Sequence, residues 1–515
     1  MRVLFAAAEI FPFVKTGGLG DVVAALPAAL AGSGMDVRLM LPGYSPVLAA
    51  LERPRTLCLL PAYFGSKDAR IVFGRLPNGL ETYVVDAPHF YDRLAPYGDS
   101  SGRDWPDNHL RFAALSRAAA DISLYDELWA PDVIHGNDWH TGLIPAYLSW
   151  RGRARPASVI TIHNLAFQGL FSRSVLPQLH LNSRFLSGTG HEFYSQVGFL
   201  KAGLYYADKI SAVSPSYARE IQTPEFGCGL DSLLRARARD LRGILNGIDT
   251  EVWNPASDPF LDENYDARSI KQKALNKAAV LRDYGFDPAC KNDPLFAVVS
   301  RLTSQKGVDL LPEVLPPLLK RGLRLIVLGN GEVEIEKQLA AFAATYPKNV
   351  VVDIGYDERR AHRIQAGADA LIAPSRFEPC GLVQLYALRY GTLPVVRRTG
   401  GLADTVVDAG RDHRADKGTG FVFSRQTVPA LRKALDRAMN AYQDKTAWGK
   451  LQRNAMAQDV GWTAAAGKYG RLYEEACQNL RIQNAFSRGT ASDLPPLYLH
   501  GGQQDGVNEP AFGKA

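Results

Sequence analysis

The sequence is 515 residues long, with 46% hydrophobic residues, 22% charged residues and a formal net charge of +6. That length exceeds what one hydrophobic core usually organises, so two domains of ordinary globular composition are expected. The small basic excess forms no Lys/Arg block of the kind that tracks nucleic acid, and no apolar run approaches the ~20 residues needed to span a bilayer, which sets both partners aside.

The chain opens on Met-Arg-Val-Leu-Phe-Ala-Ala-Ala, which reads directly as a buried strand rather than a leader segment. Apolar runs at residues 3–8, 37–41, 82–86, 133–136, 159–163 and 209–213 then alternate with helical patterns. Continuous apolar strands separated by helices imply a parallel sheet covered on both faces. A second series occupies residues 295–300, 324–328, 350–354, 370–373, 394–396 and 420–423. Residues 254–293, rich in Asp, Asn, Pro and Lys, read as a connector with one helix. The expected fold is α/β, with two doubly wound parallel-sheet domains at residues 1–250 and 251–455 facing each other across a cleft. In such sheets ligands bind at the carboxyl ends of the strands. Residues 456–482 carry an amphipathic helical pattern, and residues 483–515 read as a disordered tail. The five cysteines (Cys58, Cys228, Cys290, Cys380 and Cys477) are odd in number and form no C-x-x-C pair. They suit a reducing compartment, and a cytoplasmic location is expected.

The loops after the strands carry the candidate chemistry. The first strand leads through Lys15-Thr16-Gly17-Gly18-Leu19-Gly20-Asp21 into a helix at residues 23–30. Glycines at such a junction let backbone N–H groups approach an anion, although the spacing fits neither a redox-dinucleotide fingerprint nor a P-loop. The strand ending at Ser300 leads to Arg301-Leu302-Thr303-Ser304-Gln305-Lys306-Gly307, two cations that can both reach one diphosphate. Glu378, in Phe377-Glu378-Pro379-Cys380-Gly381-Leu382, stands at a strand end before a helix at residues 383–390. It is either a cleft carboxylate or a complement to the helix dipole. Thr399-Gly400-Gly401-Leu402 repeats the glycine turn after the next strand. His135 and His140 lack a third ligand of suitable spacing, and the chain contains no D-x-D triplet, so no metal site is expected.

Taken together, Lys15-Thr16-Gly17-Gly18-Leu19, the stretch from Tyr97 to Trp105-Pro106-Asp107-Asn108, Asn137-Asp138-Trp139-His140, Glu378-Pro379-Cys380-Gly381-Leu382 and Thr399-Gly400-Gly401-Leu402 resemble the bacterial glycogen synthase and starch synthase family of GT-B glycosyltransferases. The resemblance covers about residues 1–480. It implies two Rossmann-like domains and a final helix that crosses back onto the first. It also implies retaining transfer of glucose from ADP-glucose to the non-reducing 4-hydroxyl of an α-1,4-glucan such as glycogen, with no metal or other cofactor. Carried over residue by residue, Lys15, Gly18 and Asp21 would contact the donor from the first domain, and Arg301 and Lys306 would hold the diphosphate. The resemblance has Thr399, Gly400 and Gly401 add backbone donors and Glu378 bind glucose hydroxyls, with Cys380 and Gly381 beside it. His163 would face the anomeric carbon with its carbonyl, Asn246 would lie in the cleft, and Tyr97 and Asp138 would line the acceptor side. A wider GT-B pattern places a second glutamate eight positions after the first; Tyr386 stands there instead. A phosphorylase would need a pyridoxal phosphate lysine in a longer chain. A catalytically idle glucan-binding protein would not need Lys15, Arg301, Lys306 and Glu378 together.

Overall fold

The computed structural model describes residues 1–489 except 61–63, 65–67, 100, 128, 152–154, 182–189 and 411–415. In chain order the first half contains β1 (Arg2–Ala6), β2 (Asp36–Pro42), β3 (Glu52–Leu59), β4 (Arg70–Arg75), β5 (Glu81–Asp86), β6 (Val133–Asn137) and β7 (Ala157–Ile162). It continues with β8 (Leu170–Ser172), β9 (Glu192–Phe193), β10 (Gln196–Gly198), β11 (Lys209–Ala212) and β12 (Leu241–Gly243). Among the described residues, nine of these form one sheet in the order β12-β11-β7-β6-β1-β2-β5-β4-β3, while β8, β10 and β9 form a small antiparallel sheet. The run from β12 to β5 is parallel throughout. The second half contains β13 (Leu295–Val299), β14 (Arg324–Gly329), β15 (Val350–Ile354), β16 (Ala370–Ala373), β17 (Leu393–Arg397) and β18 (Phe421–Phe423). They pair in the order β15-β14-β13-β16-β17-β18, all parallel.

Both parallel sheets are apolar because helices cover both faces; every residue of β6 and β7 is buried. The antiparallel strands β3 and β4 are among those the apolar pattern does not announce, as are the short β8, β9, β10 and β12. β3 is an exposed, charged edge carrying Pro54, a placement that an edge tolerates. Strand order reverses between β1 and β6 in one sheet and between β13 and β16 in the other, and the loops leaving those strands flank the two ligand crevices.

One hydrophobic core gathers residues from Val3 onward and is completed by Trp462 together with Ala465, Tyr469, Leu472, Tyr473 and Leu480 of the helix Thr463–Gly489. The other core runs from Ile248 to Val460. The chain therefore crosses between domains twice, and the crossings touch. The Ile248 amide donates to the Val460 carbonyl at 2.8 Å. A Cβ on Gly247 would lie 2.5 Å from the Gly461 carbonyl oxygen, so only glycine permits that approach. The returning helix continues through residue 489, which corrects the disordered tail expected from residue 483. No proline interrupts residues 483–489, and helix propagation adds a hydrogen bond per residue once the packed part is formed. Residues 490–515 lie outside the described residues.

His135 is part of this frame. Its ring nitrogens meet the Tyr473 hydroxyl at 2.8 Å and the Thr161 hydroxyl at 2.6 Å, tying β6 and β7 to the returning helix. Burial pushes its pKa down to about 3, so the ring is neutral. Tyr473→Phe strands one buried ring nitrogen without its partner. The expected loss is about 1–3 kcal/mol of stability, read as a lower midpoint in urea unfolding. A midpoint equal to that of the parent protein would show that the bond contributes nothing.

Candidate active site

The first-domain wall is built from the ends of β1, β6 and β7. After β1 the chain places Glu9 in a buried position, where its carboxylate accepts the Thr16 amide at 2.7 Å, the Thr16 hydroxyl at 2.6 Å and the Tyr97 hydroxyl at 2.5 Å. One carboxylate thus fixes both the glycine loop and Tyr97, whose ring stacks on His140 at 4.6 Å between centroids. Burial and the neighbouring Glu9 raise the Tyr97 pKa well above the phenol range. Its hydroxyl proton stays on oxygen and is committed to Glu9. Sequence reasoning passed over Glu9 because no motif marks it. Its only signal is a carboxylate directly after a buried strand.

Asp138, at the end of β6, adopts φ 57°. Its Oδ1 accepts the backbone amides of His163 at 2.8 Å and Asn164 at 3.4 Å, which joins the loops after β6 and β7. Burial pushes its pKa up to about 7 against those two donors. His163 Nε2 lies 2.9 Å from Asn137 Oδ1, and Asn137 Nδ2 donates to the Ala6 carbonyl at 3.0 Å. With the amide nitrogen so used, Oδ1 is the acceptor and the His163 proton sits on Nε2. Burial pushes the His163 pKa down to about 3, so the ring is a neutral group.

The second-domain wall comes from β13, β16 and β17. Glu378, after β16, is 5% exposed, and its Oε2 accepts Lys306 Nζ at 2.6 Å and the Ser375 hydroxyl at 2.9 Å. Lys306 is delivered by the turn after β13, which lies against Pro374. A Cβ on Gly307 would meet the Pro374 carbonyl at 2.3 Å, and its φ is +67°. Arg301, from the same loop, is exposed and among the described residues donates to Gln305, at 3.4 Å. The two cations therefore stand differently: Lys306 is engaged with Glu378, and Arg301 faces solvent.

The glycine turn at residues 399–401 has another use than the one expected. A Cβ on Gly400 would lie 1.8 Å from the Glu378 carbonyl, and one on Gly401 2.1 Å from the Cys380 carbonyl. The Gly401 amide donates to the Glu378 carbonyl at 3.0 Å, the Thr399 amide to Arg397 at 2.9 Å and the Gly400 amide to Glu220 Oε1 at 2.9 Å. All three amides have protein acceptors in this arrangement, that of Gly400 being Glu220 of the first domain. Here glycine is required because two backbones pack against each other. Cys380 is buried, and burial pushes its thiol up to about 12, so it is no nucleophile. Gly381 holds φ +71° beside it. Asn246 is buried in the cleft, and its Oδ1 has no protein hydrogen-bond partner among the described residues.

The walls meet at Lys15. Its Nζ lies 2.9 Å from Asp21 in the first domain and 3.7 Å from Glu358 in the second, over the rings of Phe11 and Tyr356. Burial outweighs Lys15 and pushes the Asp21 carboxyl up to about 6. Gly18 faces Leu382 of the other domain, which a Cβ would meet at 3.4 Å. Between them a narrow crevice is lined by Phe11, Asp21, Trp253, Glu358 and Tyr386. Tyr386 lies flat on Trp253, and Trp253 on His362, each at 3.7 Å between centroids. The position where a wider pattern has a glutamate is thus part of an aromatic stack. Glu358, the third carboxylate of the cleft that sequence reasoning missed, follows β15 by the same strand-end logic but without a glycine turn to flag it. Among the described residues no three His, Cys, Asp or Glu side chains are grouped to hold a metal ion, and no helix is long and apolar enough to cross a membrane.

Comparison with known proteins agrees with this architecture. A family model described as the starch synthase catalytic domain matches residues 2–236, and one described as glycosyl transferases group 1 matches residues 286–455. The glycogen synthase of Paramagnetospirillum magneticum is 48% identical over 486 residues, covering 93% of this chain and 98% of that protein. The glycogen synthase of Dechloromonas aromatica is 49% identical over 480 residues, covering 92% and 98%. The catalytic domain of starch synthase IV from Arabidopsis thaliana, solved bound to ADP and acarbose, superposes with a TM-score of 0.84 at 33% identity, covering 93% of this chain and 99% of that one. Sucrose-phosphate synthase from Thermosynechococcus elongatus, at a TM-score of 0.57 and 17% identity, shares the fold alone. With two doubly wound sheets closing on one cleft and near-full-length likeness to these enzymes, the chain belongs to the glycogen synthase and starch synthase family of GT-B glycosyltransferases.

Proposed function

We propose that this chain transfers glucose from ADP-glucose to the 4-hydroxyl at the non-reducing end of an α-1,4-glucan, with retention at the anomeric carbon. The observation that carries the reading is the Lys306–Glu378 pair at the switch point of the second sheet, in a chain of this family. Departure of ADP places negative charge on the diphosphate and positive charge on the sugar ring. Lys306 and Arg301 address the first, and the first-turn amides of the helix Val383–Arg389 add partial positive charge. Glu378 accepts glucose hydroxyls and stabilises the developing cation; this is fixed electrostatics rather than acid–base chemistry. The His163 carbonyl faces the anomeric carbon, and the Asn246 Oδ1 accepts from a sugar or ribose hydroxyl. Tyr97 and Asp138 shape the acceptor side through the hydrogen bonds they already make.

The cleft carboxylates are each engaged elsewhere, which disfavours a covalent nucleophile: Glu9 and Asp138 with backbone and hydroxyl donors, Glu378 with Lys306, and Asp21 and Glu358 with Lys15. The acceptor oxygen therefore attacks from the face that ADP leaves. The C1–O(phosphate) bond breaks, the C1–O4 bond forms, and the acceptor proton passes to a phosphate oxygen. Five free cysteines support a reducing, cytoplasmic setting for the enzyme.

Purified protein given ADP-glucose and maltohexaose is expected to release ADP and lengthen the chain by single glucose units, at nearly the same rate after exhaustive EDTA treatment. The diphosphate charge is met by side chains, so a divalent ion is not required. Loss of most activity on chelation, restored by Mg²⁺ or Mn²⁺, would overturn that assignment.

Glu378→Ala is expected to lower kcat about 10²- to 10³-fold with the fold intact. Lys306→Ala should be comparably severe, and the double variant little worse than the more damaged single one, because each substitution already leaves the other charge unpaired. Losses that add in full would separate the two roles.

A further inference from the structure

A second set of polar contacts joins the domains beside Glu378, and none of it belongs to the sugar-binding machinery described above. The first domain supplies the helix Pro215–Glu220 and the second the helix Gly400–Thr405. Ser214, which caps the first of these, donates its hydroxyl to the Pro379 carbonyl at 2.6 Å. Asp404 accepts the Ser216 amide and hydroxyl, each at 2.7 Å. In return Glu220 accepts the Gly400 amide at 2.9 Å and the Thr399 hydroxyl at 3.3 Å. Each helix thus gives a carboxylate from its last turn to the first-turn donors of the other, where the partner helix's positive end favours it.

The consequence for the site runs through the glycine turn. Gly401 donates to the Glu378 carbonyl at 3.0 Å, and a Cβ at Gly400 would lie 1.8 Å from that same oxygen. The turn cannot move without moving the backbone of Glu378. We propose that Glu220 and Asp404 form a reciprocal clasp that closes the two domains and, through the turn at residues 399–401, sets Glu378 opposite His163. Both are positioning residues for the transfer, and the inference rests on the glucosyl transfer proposed above. The clasp is made of groups that water can also satisfy, so it opens and re-forms at small net cost, as a domain-closing contact must. The tandem crossing at Ile248 and Val460 keeps the domains joined while it does so.

The test compares Glu220→Ala and Asp404→Ala with Glu220→Gln and Asp404→Asn, which keep one accepting oxygen. Asp404 is exposed, so its variants leave the core untouched. Each alanine variant is expected to lower kcat about tenfold, the fold-change of a closed state disfavoured by one such contact. The KM for ADP-glucose should rise by less than kcat falls, because Arg301 and Lys306 lie within the second domain while only the Lys15 side of the site moves with the first. The amide variants should recover most of the rate, and the double alanine variant should be little worse than either single one. Small-angle scattering of the alanine variants with ADP and maltohexaose should show a larger radius of gyration than the parent. Parental kcat and radius in both alanine variants would overturn the clasp. So would equal losses in alanine and amide variants accompanied by a lower unfolding midpoint. A parent protein that releases no ADP from ADP-glucose would instead overturn the functional reading beneath it.

Discussion

A carboxylate buried to the extent of Glu378 must be compensated, and here a lysine 2.6 Å away compensates it. Much of the second domain's local geometry follows from that requirement. Lys306 reaches Glu378 because Gly307 lets its turn lie on Pro374, and Ser375 supplies a further donor. In the proposed reaction the arriving diphosphate competes for Lys306, and Glu378 is released toward the sugar hydroxyls as its partner is drawn away. The pair therefore holds the two charges in a neutral combination until, in that proposal, the diphosphate competes for the lysine and sugar hydroxyls for the carboxylate. Arg301 is exposed and stands outside the pair.

The first domain solves a different problem, which is to hold neutral polar groups still. Glu9 pins the loop after β1 and Tyr97 together, and Asp138 pins the loops after β6 and β7. His163 and His135 are both kept uncharged by burial, one at the cleft and one beneath the returning helix. A neutral imidazole at His163, rather than a cation, suits a reaction in which positive charge develops on the sugar.

The sequence made the parallel strands legible because burial on both faces writes them as unbroken apolar runs, as in β6, β7 and β16. The edge strand β3 was not legible, since an exposed edge has no such run. The cleft residues carried by glycine motifs, among them Lys15, Gly18 and Gly381, were found by the turn they accompany. At Gly400 and Gly401 the sequence did not announce the close backbone packing, because a glycine needed for packing looks like one needed for anion approach. Glu9, Glu220 and Glu358 were missed for one reason: their meaning lies in partners distant in sequence, and two of the three have partners in the other domain.

Cys380 draws these threads into a statement about modularity. It belongs to the second domain, yet its side chain packs in an apolar cluster otherwise made of first-domain residues such as Ile162, Leu165 and Tyr217. The first domain also takes Tyr469 and Tyr473 from the returning helix to complete its main core. Its interior is thus finished with parts encoded more than a hundred residues downstream. The two halves look like interchangeable cassettes in a topology diagram, but a graft of the first alone would leave its interior open where Cys380, Tyr469 and Tyr473 now pack.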